Sequence, residues 1–90
     1  MGVPEFSTED YLFMRYRSIV VKLDDLCSDY YPHLQKKVIN EKASKQDFPF
    51  PCFKLDGSQK SPWFVHLNEF ANALDKRHEL ALKDFSTLHR

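Results

Sequence analysis

Glycine is almost missing from this chain: of ninety residues only Gly2 and Gly57 are glycine. That scarcity excludes a glycine-rich phosphate cradle or a dinucleotide-binding turn, both of which need several residues free to take unusual backbone angles. Cysteine is equally sparse. Cys27 and Cys52 have no neighbour at metal-ligand spacing, which argues against a structural zinc and a disulfide framework. Both read as buried free thiols of a cytosolic protein. No apolar run approaches the roughly 18–20 residues that span a bilayer. The first residues lack a basic stretch followed by an apolar one, so the expected location is cytoplasmic. No catalytic constellation is visible either. His33, His66, His78 and His89 fall on different predicted elements, none beside a nucleophile in a recognisable arrangement. The chain therefore reads as a non-enzyme with no metal and no cofactor. His78 and Glu79 read as solvated helix positions, and His66 as a hydrogen-bonded residue closing a strand-to-helix junction.

Aromatic residues are plentiful. Eight Phe, four Tyr and one Trp let a chain of this length bury a single core with much area per residue. Residues 7–90 are expected to form one domain, with residues 1–6 an unstructured arm or a vector-derived remnant. Formal net charge is zero, but charge is unevenly placed. Residues 1–32 carry a net −3 and residues 33–60 a net +3, through Lys36, Lys37, Lys42, Lys45, Lys54 and Lys60. A local basic face concentrates a phosphate polymer whatever the total charge.

Ser7-Thr8-Glu9-Asp10 has the hydroxyl and acids of a helix entry. It leads into a segment that places Leu12, Phe13 and Tyr16 on one side, with strand as the alternative for these residues. Ile19 to Val21 is β-branched and expected to be extended. A short helix follows from Leu23 to Tyr30 or Tyr31, with Leu26, Cys27 and Tyr30 inward, stopped by Pro32. The next helix is expected from about Pro32 to Lys42 or Ser44, with Leu34, Val38 and Ile39 inward. Two short helices at a proline-marked turn suggest a helix-turn-helix. Alternating prolines in Phe48-Pro49-Phe50-Pro51 force extended backbone into a strand from Cys52 to Leu55. Asp56-Gly57 signals a turn in which Gly57 would supply positive φ. Trp63 to His66 is the return strand, with Trp63 packed against the hairpin. Leu67, Phe70, Ala71, Leu74, Ala81, Phe85 and Leu88 then keep helical spacing over about six turns. That is longer than the core can cover, so the distal half is expected to meet another subunit.

Two clusters suggest contact with DNA. His33, Gln35, Lys36, Lys37 and Asn40 belong to the second helix of the pair, where amides can pair with adenine and lysines with guanine or phosphate. Ser58, Gln59, Lys60 and Ser61 form the hairpin tip, carrying the donor types that hold phosphate oxygens. Lys42, Lys45, Arg15 and Arg17 are weaker phosphate candidates. The fold class implied is α+β: a winged helix-turn-helix with a two-stranded hairpin wing and a long C-terminal helix.

These residues resemble the PrtN-type pyocin-activator family of small bacterial transcription activators, over about Tyr11 to Asp84. The resemblance is carried by Leu23-Asp24-Asp25-Leu26-Cys27-Ser28-Asp29-Tyr30-Tyr31, by Lys37-Val38, and by Gly57-Ser58-Gln59-Lys60-Ser61. Val65-His66-Leu67, Phe70-Ala71, Leu74-Asp75 and Arg77 complete it. It implies sequence-specific binding of double-stranded DNA upstream of genes for phage-tail-like bacteriocins. The layout is also similar to the excisionase and AlpA group of winged-helix proteins. Where the family's second helix closes with small residues and glycine, this chain has Asn40-Glu41-Lys42-Ala43-Ser44-Lys45-Gln46-Asp47. Expected partners are duplex DNA, a second copy through the C-terminal helix, and RNA polymerase or a repressor protein. Two other readings stay open: an excisionase-like recombination directionality factor that bends DNA, and a protein-binding module such as an antirepressor.

Overall fold

The computed structural model describes residues 5–89. Within them the order is α1 (Thr8–Tyr16), β1 (Val20–Lys22), α2 (Leu23–Tyr30), α3 (Lys36–Ser44), β2 (Phe53–Lys54), β3 (Trp63–His66) and α4 (Leu67–Leu88). The fold is α+β: four helices around a small antiparallel sheet of strand order β1-β3-β2. Val21 pairs with Val65 on one side of β3, and Phe53 with Phe64 on the other. The expectation for the N-terminal arm falls mostly on residues outside those described. Phe6 lies with its ring against Tyr11, 5.7 Å between centroids.

Residues 8–16 are helix because the entry, with Ser7 as N-cap, is a complete capping box. Ser7 Oγ accepts the Asp10 amide at 3.1 Å, and the Asp10 carboxylate accepts the Ser7 amide at 3.0 Å. Helix α1 lies on α4, where the Thr8 hydroxyl donates to Asp75. Of the residues expected inward, Leu12 is buried and Tyr16 half-buried, but Phe13 faces solvent. It sits about 100° around the helix from Leu12, off the narrow face that α4 covers.

Helix α2 buries Leu23, Leu26 and Cys27. Tyr30 stays largely exposed, with its ring edge on Phe70 at 4.8 Å. The second helix of the pair differs from expectation in start and facing. Pro32 and His33 lie in a turn, and α3 begins only at Lys36 with Gln35 as its N-cap. Its buried residues are Ile39 and Ala43, while Leu34 is half-buried and Val38 faces out. Ile39 and Ala43 have the same i, i+4 spacing as Leu34 and Val38. The small Ala43 lets the helix approach the core closely, and that settles the face.

The core also contains Phe48, Phe50, Cys52, Val65, Leu67, Phe70, Ala71 and Ala73. Rings run edge-to-face from Tyr31 through Phe48 and Phe50, which meets Phe70 at 5.3 Å. Such pairs add about 0.5–1.5 kcal/mol each beyond the area they bury. Both cysteines are free and buried, and burial pushes each thiol up to about 11. The strand expected from Cys52 to Leu55 contracts to two residues, Phe53–Lys54, because the proline segment before it bends over the core at residues 48–50. Gly57 corrects another expectation. Its φ is not positive, and a Cβ there would meet nothing within 4 Å. The turn uses Asp56 instead, whose carboxylate accepts the Ser58 amide at 2.8 Å.

Candidate nucleic-acid interface

Helix α3 ends where a glycine would usually stand. Gln46 takes the left-handed conformation at φ 53°. Its amide bonds the Ala43 carbonyl, and the Asp47 amide reaches back to Lys42 at 2.8 Å, the pattern of a Schellman cap. A non-glycine residue in that region carries a strain of about 1–2 kcal/mol. Two side-chain hydrogen bonds offset it: Gln46 Nε2 donates to the Cys52 carbonyl at 2.9 Å, and Gln46 Oε1 accepts the Cys52 amide at 3.0 Å. This clip joins the end of α3 to the residue just before β2. It thereby fixes the helix relative to the loop at residues 55–62 that links β2 and β3.

That loop is held from within. Lys60 N–H donates to Ser58 Oγ, and Ser61 N–H to the Ser58 carbonyl. Lys54 Nζ lies 4.9 Å from the centre of the Trp63 ring and donates to the carbonyls of Ser58 and Gln59. These bonds consume backbone groups and leave the Gln59 amide and the Lys60 ammonium without a protein partner among the described residues. Lys60 and Gln59 are exposed, and Ser61 is half-buried.

Helix and loop face each other across a cleft of about 330 Å³. Lys36, Asn40 and Ser44 line it from α3, one turn apart along a single stripe; Gln59, Lys60 and Ser61 line it from the loop. Lys54 and Trp63 contribute from the sheet, and Asp24, at the start of α2, is the one acid on its walls. A groove walled by ammonium, amide and hydroxyl groups can hold phosphate oxygens and base edges. No helix among the described residues is long and apolar enough to cross a membrane.

The other sequence candidates fall elsewhere. Lys37 lies one residue around α3 from the cleft and is exposed. Gln35, as N-cap, is exposed, and Lys42 lies about 140° around the helix from Lys37. Lys42 Nζ sits 3.4 Å from the Asp47 carboxylate and 5.2 Å from the Phe48 ring centre. Lys45 caps the helix, and His33 packs near Tyr31 with 6.3 Å between rings. Arg15 pairs with Asp29 at 3.1 Å, beside the Tyr16 hydroxyl that donates to the same carboxylate. Burial, then that hydrogen bond, raises the Tyr16 phenol well above its ordinary value. Arg17 is exposed, with φ 57° at the end of α1. Besides Pro62 and Trp63, three cleft residues lie outside the sequence candidates: Ser44, Lys54 and Asp24. Ser44 could have been found by extending the Lys36–Asn40 spacing one more turn. Lys54 and Asp24 lie on elements that carry no signal of facing α3. His66 sits as expected, its Nδ1 accepting the Asn68 amide at 3.2 Å to cap α4.

The family model for pyocin activator protein PrtN matches residues 8–81, a span that includes both walls of the cleft. None of the curated proteins and none of the solved structures matches the chain.

Proposed function

The chain belongs to the pyocin activator (PrtN) family, and on that premise we propose that it activates transcription by gripping one strand of duplex DNA between α3 and the loop at residues 55–62. The family points to a transcription activator of pyocin genes and is a family of regulators, not of enzymes. The observation that supports the finer reading is the shared cleft of Lys36, Asn40 and Ser44 with Gln59, Lys60 and Ser61.

In this reading α2 and α3 are a helix-turn-helix and the β2–β3 loop is its wing. A sugar-phosphate strand passes through the cleft over Lys54 and Trp63. Helix α3 then enters the major groove on one side of that strand, and the loop tip reaches past it on the other. Asn40 and Lys36 meet base edges, with Lys37 on the adjoining face. Lys60 and Gln59 meet phosphate oxygens. The binding supplies position and register; sequence choice comes from the α3 side chains. No proton transfer or bond cleavage is involved, and no cofactor enters.

A mobility-shift selection from random duplexes tests this. The expected result is convergence on one sequence, with affinity falling as salt rises because phosphate contacts release counterions. Binding with no salt dependence, or none at all, would instead favour the protein-binding module. Tandem sites with strong bending would assign the fold to recombination directionality rather than to activation.

A further inference from the structure

We infer that the distal half of α4 is a self-association surface, on which a second copy of this chain lays its own α4 antiparallel. This goes beyond the DNA reading and stands without it. Leu67, Ala71, Leu74, His78, Ala81, Phe85 and Leu88 follow one another at alternating spacings of four and three along α4, the a/d seam of a coiled coil. The seam has two halves. Leu67 and Ala71 are buried in the chain's own core, and Leu74 packs against it. From Asp75 onward every described residue is exposed, including Phe85 at 59% and Leu88 at 80%. The same seam thus continues out of the body, and among the described residues it meets only the His89 ring, stacked on Phe85 with 4.2 Å between centroids. Its protrusion gives the molecule a radius of gyration of 15.5 Å, where a compact chain of this length would have about 12 Å.

The residues select the occupant's direction. A parallel second copy would stack Ala81 on Ala81 and His78 on His78, leaving a void beside two facing imidazoles. An antiparallel copy sets each a position against a d position. Ala81 then receives Phe85 of the second copy, twice over by symmetry, and His78 meets Leu88. Large faces small, as close packing requires. Sliding this register one heptad toward the body would drive Leu88 of the second copy onto Ala71, which is 3% exposed and has no room. Sliding it one heptad outward would leave only two layers. The four-layer register is what remains.

Four layers bury less than the roughly 1,200 Å² of a standard stable interface. The free dimer is expected to be weak, and a dissociation constant on the order of 10 μM sets the range to search. The arrangement has one unfavourable pair. Asp84 occupies a g position, and in antiparallel pairing g faces g, so the two Asp84 carboxylates lie close across the symmetry axis. A twofold axis also relates the two clefts, as a palindromic site would require.

Sedimentation equilibrium of the full chain without DNA, from about 5 μM to about 1 mM, spans that constant and is independent of any nucleic-acid result. A monomer–dimer equilibrium is expected. Phe85→Asp should leave a monomer of nearly unchanged helix content, since the ring stacks on His89 at the very end of α4 and lies outside the core. Asp84→Asn should tighten the dimer several-fold. Mixing a His78→Cys protein with a Leu88→Cys protein should give the mixed disulfide faster than either symmetric one. A monomer at the top of the range, or an F85D protein that still dimerises, would overturn the interface. Dominant Leu88→Cys self-cross-linking, or a D84N protein that dimerises more weakly, would overturn the antiparallel direction.

Discussion

Lys36, Asn40 and Lys60 face the same space from two elements, yet each should fail differently when removed. Lys60→Ala should weaken binding to every duplex and flatten the log–log salt slope by about 0.9, the release from one phosphate. Asn40→Ala should leave that slope alone and relax base preference, at about 1–3 kcal/mol for a lost bidentate contact. Lys42→Ala is the control, because its ammonium is held by Asp47 and Phe48 on another side of α3; DNA affinity should hardly move. Asp24 carries the reverse expectation. As the acid in the cleft it repels phosphate, so Asp24→Asn should raise affinity for duplexes of any sequence, measured by titration at several salt concentrations. Gln59 and Lys60 were legible in the sequence because a polar loop between two β-prone runs must present its side chains outward. Gln35 and Lys42 do not line the cleft, for a physical reason. Leu34-Val38 and Ile39-Ala43 have the same spacing, and only packing against the core decides which pair turns inward.

The end of α3 offers a test of how a glycine-poor chain makes its turns. Gln46 combines a strained backbone with two side-chain bonds to Cys52. Gln46→Ala loses the bonds and keeps the strain, and should cost about 2 kcal/mol. Gln46→Gly loses the bonds but relieves the backbone, so it should fall between Ala and the parent in urea unfolding. If Ala equals the parent, the clip contributes nothing. This device lets α3 close in the left-handed region without a glycine. It was not legible in advance, because a glutamine in the left-handed region leaves no compositional mark. Helix α1, by contrast, could be read from Ser7 and Asp10, and α4 from its apolar spacing. The strand β2 could be located but not sized, since the bend at residues 48–50 depends on where Phe48 and Phe50 find room in the core.

The molecule as a whole joins a sheet and three short helices to the first half of α4, and burial makes its stability sensitive to alkali. The folded thiols of Cys27 and Cys52 are pushed up to about 11 by burial, and the Tyr16 phenol is raised as well. The folded chain therefore keeps protons that the unfolded chain releases. The contribution of these thiols to stability is full below their unfolded value and is lost as pH rises from about 9 through about 11. Thermal melts at pH 8 and pH 10.5 should show a lower Tm at the higher pH, and the double change Cys27→Ala with Cys52→Ala should reduce the difference. The helices and the strands β2 and β3 were largely visible in the sequence, while the addition of β1 to β3, which makes the sheet three-stranded rather than two-stranded, was not. The meeting of α3 with the loop was only an expectation there, because it depends on how the β2–β3 pair packs beside α3 and on the Gln46 clip. That meeting is where the account can be tested most directly, by following backbone amide NMR shifts while duplex DNA is titrated at low salt. The account predicts coincident shifts in residues 36–44 and 55–61, with residues 75–88 unmoved by the first equivalents. Shifts confined to one of the two walls, or centred on another face of the molecule, would contradict it.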